Sequence, residues 1–156
     1  MKSNDGRLYA AKIFKEHEGN KSEYEILSKL DSFQILKVKD FSDHGRISQI
    51  NDNQYSEMIY NNYKCSSFSY LIMEVAENGD LFDFIEISGA LPEKISRYYF
   101  HIVMEVIDYL HSNKIAHNDI KLQNLLVTDD FNIKLADFGL ARKFSAYNSS
   151  FLGTVR

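Results

Sequence analysis

Cysteine is almost missing: Cys65 is the only one in 156 residues. A single thiol can form neither an internal disulfide nor a zinc cluster, so the chain suits a reducing compartment. Cys65 itself reads as an ordinary free thiol rather than a nucleophile. A basic excess is missing too. Lysine and arginine number 18 against 22 acidic residues, for a formal net charge of −4. That balance argues against nucleic acid as the main partner, which demands a basic face. No apolar run approaches the roughly 20 residues that cross a bilayer. The opening stretch MKSNDGRLYA is polar and lacks an apolar signal core, so export and a membrane partner are not expected and a cytoplasmic protein is. No repeat of solenoid period occurs. What is present is a globular composition, 44% hydrophobic and 26% charged, in a chain long enough for one domain with a real core.

Asp5-Gly6 reads as a turn, and the β-rich Arg7–Phe14 behind it as a strand. A hairpin needs a strand before its turn as well, and only MKSN precedes, so the chain is expected to start in the middle of a sheet. Lys21–Leu30 puts Tyr24, Leu27 and Leu30 on one helical face, with Ser22 as N-cap. Gln34–Ile47 alternates and predicts a strand running into a turn. The polar Asn51–Ser67 reads as a loop or a loosely paired hairpin, and the apolar Phe68–Val75 as a buried strand. Asp80 and Gly89 are the N-cap and stop signal of a short helix. Pro92 suits the first turn of the longest helix. Along that helix Ile95, Tyr99, Ile102, Val103, Val106 and Leu110 recur at steps of three and four. Asn124–Thr128 and Asn132–Ala136 predict two short strands joined by a tight turn, and the tail from Arg142 reads as a loop. The first part is thus strand-rich with one helix and the second starts helical. The class is α+β, with a break near Glu77–Gly79 that separates residues 1–77 from 78–156. Two lobes on a short connector form a natural cleft for a small molecule.

Five stretches carry the chemistry: YAAKIF (Tyr9–Phe14), EYEIL (Glu23–Leu27), YLIMEVAENGDLFDFI (Tyr70–Ile85), HNDIKLQN (His117–Asn124) and DFGLA (Asp137–Ala141). Together, and in this order, they resemble a eukaryotic protein kinase catalytic domain of the Ser/Thr type, most like the calcium/calmodulin-dependent branch. The resemblance covers nearly the whole chain. It implies a two-lobed protein-kinase-like fold, ATP and Mg2+ as cofactors, and transfer of the γ-phosphate to Ser/Thr hydroxyls of a protein substrate. Lys12 matches the strand lysine that contacts the α- and β-phosphates. Glu23 matches the helix acid that pairs with it, with Glu25 as rival. Asp119 matches the catalytic base, and Lys121 the lysine that steadies the γ-phosphate in Ser/Thr kinases. Asn124 and Asp137 match the two magnesium ligands, both hard oxygen donors. Ala10 and Leu126 would sandwich the adenine ring, Met73 would stand at the back of the pocket, and Glu74 and Ala76 would offer it backbone hydrogen bonds. His117 and Phe138 read as packing residues with Leu27 as a neighbour. Leu125, Leu126 and Val127 supply the rigid backing that positions a base and a metal ligand. Singly, each polar residue has a plainer reading: a snorkelling Lys12, a turn-forming Asp119, Asn124 or Asp137. Their joint occurrence sets those readings aside.

Departures from the family pattern add expectations. The Gly-rich loop that lies before the strand of Lys12 is absent, and the chain stops at FLGTVR, ahead of the Ala-Pro-Glu motif and the later helices. The chain therefore reads as truncated at both ends, with turnover impaired or lost and with a partner covering the surfaces so exposed, including the sheet edge near Tyr9–Phe14. A catalytically inactive, pseudokinase-like binding module or scaffold is the alternative. Only ten residues separate Lys12 from Glu23, fewer than family members usually hold there, which predicts a helix short at its front and a poorly formed ion pair. Asn118 stands where most members carry the Arg that pairs with an activation-loop phosphate. Any effect of phosphate at Ser145, Tyr147, Ser149, Ser150 or Thr154 is then expected to be weak.

Overall fold

A computed structural model describes residues 7–14, 20–45 and 68–144. The Asp5-Gly6 turn, the Asn/Ser-rich stretch with Cys65, and the five hydroxyl residues from Ser145 to Thr154 lie outside them. In chain order the elements are β1 (Tyr9–Phe14), α1 (Asn20–Leu27), β2 (Val38–Gly45), β3 (Phe68–Glu74), α2 (Leu81–Ser88), α3 (Glu93–Ser112), β4 (Ile115–Ala116), a 3-10 turn (Leu122–Asn124), β5 (Leu125–Val127), β6 (Ile133–Leu135) and β7 (Arg142–Lys143).

Among the described residues the first part forms a three-stranded antiparallel sheet in the order β1-β3-β2. The central strand carries the one fully buried side chain among the described residues of the sheet, Leu71. Lys12 faces Leu71 across the β1–β3 ladder, and Ala10 faces Met73. Helix α1 follows β1 and buries Ile26 and Leu27. It begins at Asn20, so Ser22 sits inside the helix and is not its N-cap. It also stops at Leu27, where Lys29 N–H and Leu30 N–H fall back to the carbonyls of Ile26 and Leu27 and tighten the last turn.

Gln34–Leu36 departs from the expected strand. All three residues are buried, so no face of the segment is left for water. The Leu135 amide donates to Gln34 O at 2.8 Å, and the Leu36 amide donates to Leu135 O at 3.0 Å. The segment thus pairs with β6, and β2 starts only at Val38.

The second part is built on α3. Asp80 caps α2 by accepting the Asp83 amide at 2.9 Å, and Gly89 closes it at φ 81°. Pro92 lies just ahead of α3, where its carbonyl accepts from Ile95 and Ser96. Tyr99, Val106 and Leu110 are buried along the helix, while Ile95 is 39% exposed. Ile95 lies one turn before Tyr99, whose hydroxyl reaches Phe131 O at 2.9 Å and marks where cover by the β5–β6 turn begins. Strands β5 and β6 pair in antiparallel register, Leu125 with Leu135 and Val127 with Ile133, all four buried. The connector bonds to β5 through Asn78 N–H to Val127 O (3.1 Å) and Val127 N–H to Gly79 O (2.8 Å). One apolar cluster runs through both parts, from Ile26 and Leu27 through Val106 and Leu110 to Leu135 and Phe138. Each such side chain buried is worth about 1.5–3 kcal/mol of hydrophobic transfer. No helix among the described residues is long and apolar enough to cross a membrane.

Candidate active site

Lys12 points from the edge strand β1 toward α1, and its ammonium is the centre of a charge network. Nζ donates to both carboxylate oxygens of Glu23 at 2.9 Å and to Asp137 Oδ1 at 2.7 Å. It also lies 5.2 Å from the Phe14 ring centroid. The short connection between Lys12 and Glu23 therefore does not weaken the pair. A helix of only two turns still lays Glu23 against the sheet, because its Ile26 and Leu27 are drawn into the core and bring the preceding turn with them. Glu23 is 3% exposed, whereas Glu25 is exposed to solvent. Glu23 Oε1 also accepts the Phe138 amide at 3.2 Å. Burial alone would lower the Lys12 pKa. The hydrogen bonds and charges of Asp137 and Glu23 outweigh it and leave the pKa raised. At Asp137 burial pushes the carboxyl up, but Lys12 outweighs it and the pKa is lowered. Both groups are held charged.

Asp137 follows β6 and takes φ 58°, a left-handed backbone that few non-glycine residues adopt. Gly139 eases the packing around it, because a Cβ there would stand 3.3 Å from Asp137 Oδ1. Phe138 is buried, and its ring meets His117 edge-on at 4.7 Å between centroids.

The second group lies on the polar loop between β4 and β5. Asp119 Oδ2 accepts from Lys121 Nζ at 2.8 Å and from Asn124 Nδ2 at 3.0 Å. These bonds hold the Asp119 carboxyl below its ordinary pKa. Asn124 is buried, and its Nδ2 also donates to Asp119 O at 2.7 Å. The nitrogen end of this amide is thus committed to the loop, and the oxygen end is the acceptor on offer to a cation. His117 Nε2 lies 3.0 Å from Ala136 O, and the Asp119 amide donates to His117 Nδ1 at 3.3 Å. That pattern assigns the Nε2–H tautomer. Burial lowers the His117 pKa, so the ring is neutral.

The two groups meet through the backbone. The Ala136 amide donates to Asn124 O at 2.8 Å while His117 holds Ala136 O. Lys12, Glu23 and Asp137 are thereby one cluster and Asp119, Lys121 and Asn124 another. No side-chain hydrogen bond joins them among the described residues. The Asp137 carboxylate and the Asn124 amide oxygen are hard donors that suit an ion which takes one or two protein ligands and completes its shell with phosphate and water, as Mg2+ does.

Ala10 and Met73 stand on paired strands, and Ala10, Met73, Ala76 and Leu126 are all half-buried. The structure narrows which backbone group of Glu74 is on offer. Its amide already donates to Lys37 O at 3.0 Å, so only its carbonyl can serve a ligand. Its carboxylate does something the sequence does not signal: Oε1 accepts from the Lys37 amide and from Lys134 Nζ, both at 2.7 Å. Lys134 is 60 residues away, and only its place on the polar side of β6, between buried Ile133 and Leu135, hints at a partner.

Comparison with known proteins agrees with this geometry. A family model described as the protein kinase domain matches residues 1–156. The serine/threonine-protein kinase PKH2 of Saccharomyces cerevisiae is 34% identical over 145 residues, 92% of this chain and 12% of the relative. The probable serine/threonine-protein kinase MARK-B of Dictyostelium discoideum is 35% identical over 151 residues, 96% of this chain and 19% of the relative. The probable serine/threonine protein kinase IRE of Arabidopsis thaliana is 34% identical over 137 residues, 88% of this chain and 12% of the relative. The chain spans less than a fifth of the length of these three relatives. With its motifs in order, its charge network assembled and the family model matched over the whole sequence, the chain belongs to the protein kinase domain family.

Proposed function

We propose that this chain carries the catalytic site of an ATP- and Mg2+-dependent Ser/Thr protein kinase. The observation that supports it most is the Lys12–Glu23–Asp137 network, which holds a cation and a carboxylate of the right kinds beside the loop of Asp119, Lys121 and Asn124. Residues 1–77 would form the smaller lobe and 78–156 the start of the larger.

Bound Mg2+ supplies neutralisation of the charge that gathers on the β- and γ-phosphate oxygens. The residues divide the remaining work. Glu23 aims Lys12 so that its ammonium, shared with Asp137 at 2.7 Å, is placed for the α- and β-phosphates. Asp137 and Asn124 offer oxygens to the metal. Asp119 accepts or orients the proton of the substrate hydroxyl, and its lowered pKa keeps it ionised for that task. Lys121, within 2.8 Å of Asp119, neutralises the γ-phosphate. Ala10 and Leu126 flank the purine, with Met73 behind it and the Glu74 carbonyl and Ala76 backbone at its edge.

The Ser/Thr preference draws on Lys121 and on the names of the three relatives. Placement in the calcium/calmodulin-dependent branch is the finer part of the proposal. Similarity to NUAK family SNF1-like kinase 2 of Pongo abelii, 36% over 96 residues, leaves it level with other groups. The edge strand β1 remains the surface proposed for a partner. Nothing among the described residues favours the binding-module alternative. The test is thermal stability with and without Mg-ATP. Ligand at about 100 times its Kd adds roughly 2.7 kcal/mol. No shift in wild type, or an equal shift in Lys12→Met, refutes the proposal.

A further inference from the structure

We propose that Asn118 is a positioning residue for Asp137: its side-chain amide holds the chain just beyond Gly139 through an uncharged hydrogen bond and so fixes the metal-facing end of the site without a phosphate. The job assigned to Asp137 rests on the kinase reading above. The hold itself rests on geometry alone.

Asn118 has φ 64°. Among residues with a side chain, Asn tolerates this left-handed region best. In that conformation Nδ2 donates to Leu140 O at 3.1 Å. One residue earlier, His117 Nε2 donates to Ala136 O at 3.0 Å. Two consecutive residues of the polar loop therefore grip the two carbonyls that bracket Asp137-Phe138-Gly139, one on each side. The bracketed piece is under strain, because Asp137 is itself left-handed at φ 58° and persists there only if its surroundings over-determine it. On the near side it has the Lys12 bond and the Phe138 amide on Glu23. On the far side, the Ala141 amide closes a turn onto Phe138 O at 3.0 Å. The chain then enters the short β4–β7 ladder, Ala116 with Arg142 and Ile115 with Lys143, followed by Phe144 N–H to Lys114 O at 2.9 Å. Between the strained aspartate and that ladder, the Asn118 amide is the one side-chain tie from the polar loop to residues 139–141 among the described residues.

The Arg142 guanidinium does not substitute for it. Arg142 Nη1 donates to Ala141 O at 2.7 Å and to Gly139 O at 3.4 Å, within its own segment. Since neither Asn118 nor the Leu140 carbonyl carries charge, the hold does not weaken with ionic strength as an ion pair would.

Two variants test this. Asn118→Gly keeps the left-handed backbone and removes the amide. Asn118→Asp keeps the size and presents only acceptor oxygens to the Leu140 carbonyl. Hydrogen exchange in the whole protein is read at the Ala141 and Phe144 amides, with α3 as reference, at low and at high salt. Nucleotide affinity is read by calorimetry with ATP, with and without Mg2+. A neutral hydrogen bond shifts an equilibrium by roughly two- to tenfold, so exchange at Ala141 should rise by that factor in both variants while α3 is unchanged. The wild-type rate relative to α3 should not respond to salt. The Mg2+-dependent gain in ATP affinity should shrink by a similar factor, with metal-free affinity unaltered. Unchanged exchange at Ala141 overturns the proposal. A uniform rise that includes α3 also overturns it, because Asn118 would then be a general stabilising residue. A wild type with no Mg2+-dependent nucleotide binding would sink the kinase reading, and the exchange comparison alone would still decide for or against the hold.

Discussion

Removing the Glu23 carboxylate should destabilise the protein well beyond what a surface charge is worth. Three hydrogen bonds end on this one group: two from Lys12 Nζ at 2.9 Å and one from the Phe138 amide at 3.2 Å. In Glu23→Ala the Phe138 amide is left buried without its partner, a cost of about 1–3 kcal/mol. Lys12 loses its more buried counter-charge, both oxygens of which it bonds at 2.9 Å. It keeps Asp137 and its side chain is 31% exposed, so its share is nearer the roughly 1 kcal/mol of a part-exposed pair than the 3–5 kcal/mol of a fully buried one. The sum is about 2–4 kcal/mol, or roughly 5–15 °C in Tm for a domain of this size. Glu23→Gln keeps an acceptor oxygen and should lose about half as much. Glu25→Ala, at an exposed position of the same helix, should stay within about 0.5 kcal/mol of wild type. Urea unfolding followed by circular dichroism measures all three, with an unchanged m-value required for the comparison. If Glu23→Ala unfolds within about 0.5 kcal/mol of wild type, or if Glu25→Ala costs as much, then the network does not hold α1 to Asp137 and the reasoning is wrong.

Gly139→Ala should lower Mg2+-dependent ATP affinity by a few-fold, since the new Cβ would lie 3.3 Å from Asp137 Oδ1 and the carboxylate must give by a few tenths of an ångström; calorimetry with and without Mg2+ reads this, and equal affinities would contradict it. Burial lowers the His117 pKa in the folded state, so the unfolded chain takes up this proton first. The stabilising contribution is complete above the ordinary His value of about 6.5 and is lost as the pH falls through the lower folded value; a urea midpoint that drops between about pH 7 and pH 5 in wild type but not in His117→Asn would bear this out. Lys12 has the opposite sign. Its raised pKa contributes stability below the ordinary lysine value that is lost as the pH rises through the folded one, and Lys12→Met should remove that alkaline limb from the unfolding profile. Lys134→Met and Glu74→Gln should couple by about 0.5–2 kcal/mol in a double-mutant cycle, given their 2.7 Å half-buried contact; simple additivity would mean the pair is idle.

Much of the fold was legible because its signals are local. The β5–β6 hairpin, the Asp80 and Gly89 signals of α2 and the stripe of α3 from Tyr99 onward each arise within a few residues and reappear as expected. The front of α1 was not legible, because the approach of a helix to a sheet is set by what its apolar side chains find in the core and not by the length of the connection. The resulting expectation of a poor Lys12–Glu23 pair failed for that reason. Gln34–Leu36 misled in a related way. Its apolar pattern suits a strand, but its partner is Leu135, about 100 residues later, and no local rule points there. In the site, the residue types were readable from motif order, while the burial of Glu23 against the exposure of Glu25, the twofold use of Glu74 and the grip of Asn118 on Leu140 are products of tertiary contact.

The most direct test of the central claim is transfer of label from γ-labelled ATP to a mixture of Ser, Thr and Tyr peptides by the purified protein, with Asp119→Ala alongside. The account predicts that whatever label the protein transfers goes to Ser and Thr, requires Mg2+ and vanishes in Asp119→Ala while that variant still binds nucleotide. Label that persists undiminished in Asp119→Ala, or that needs no Mg2+, would contradict it.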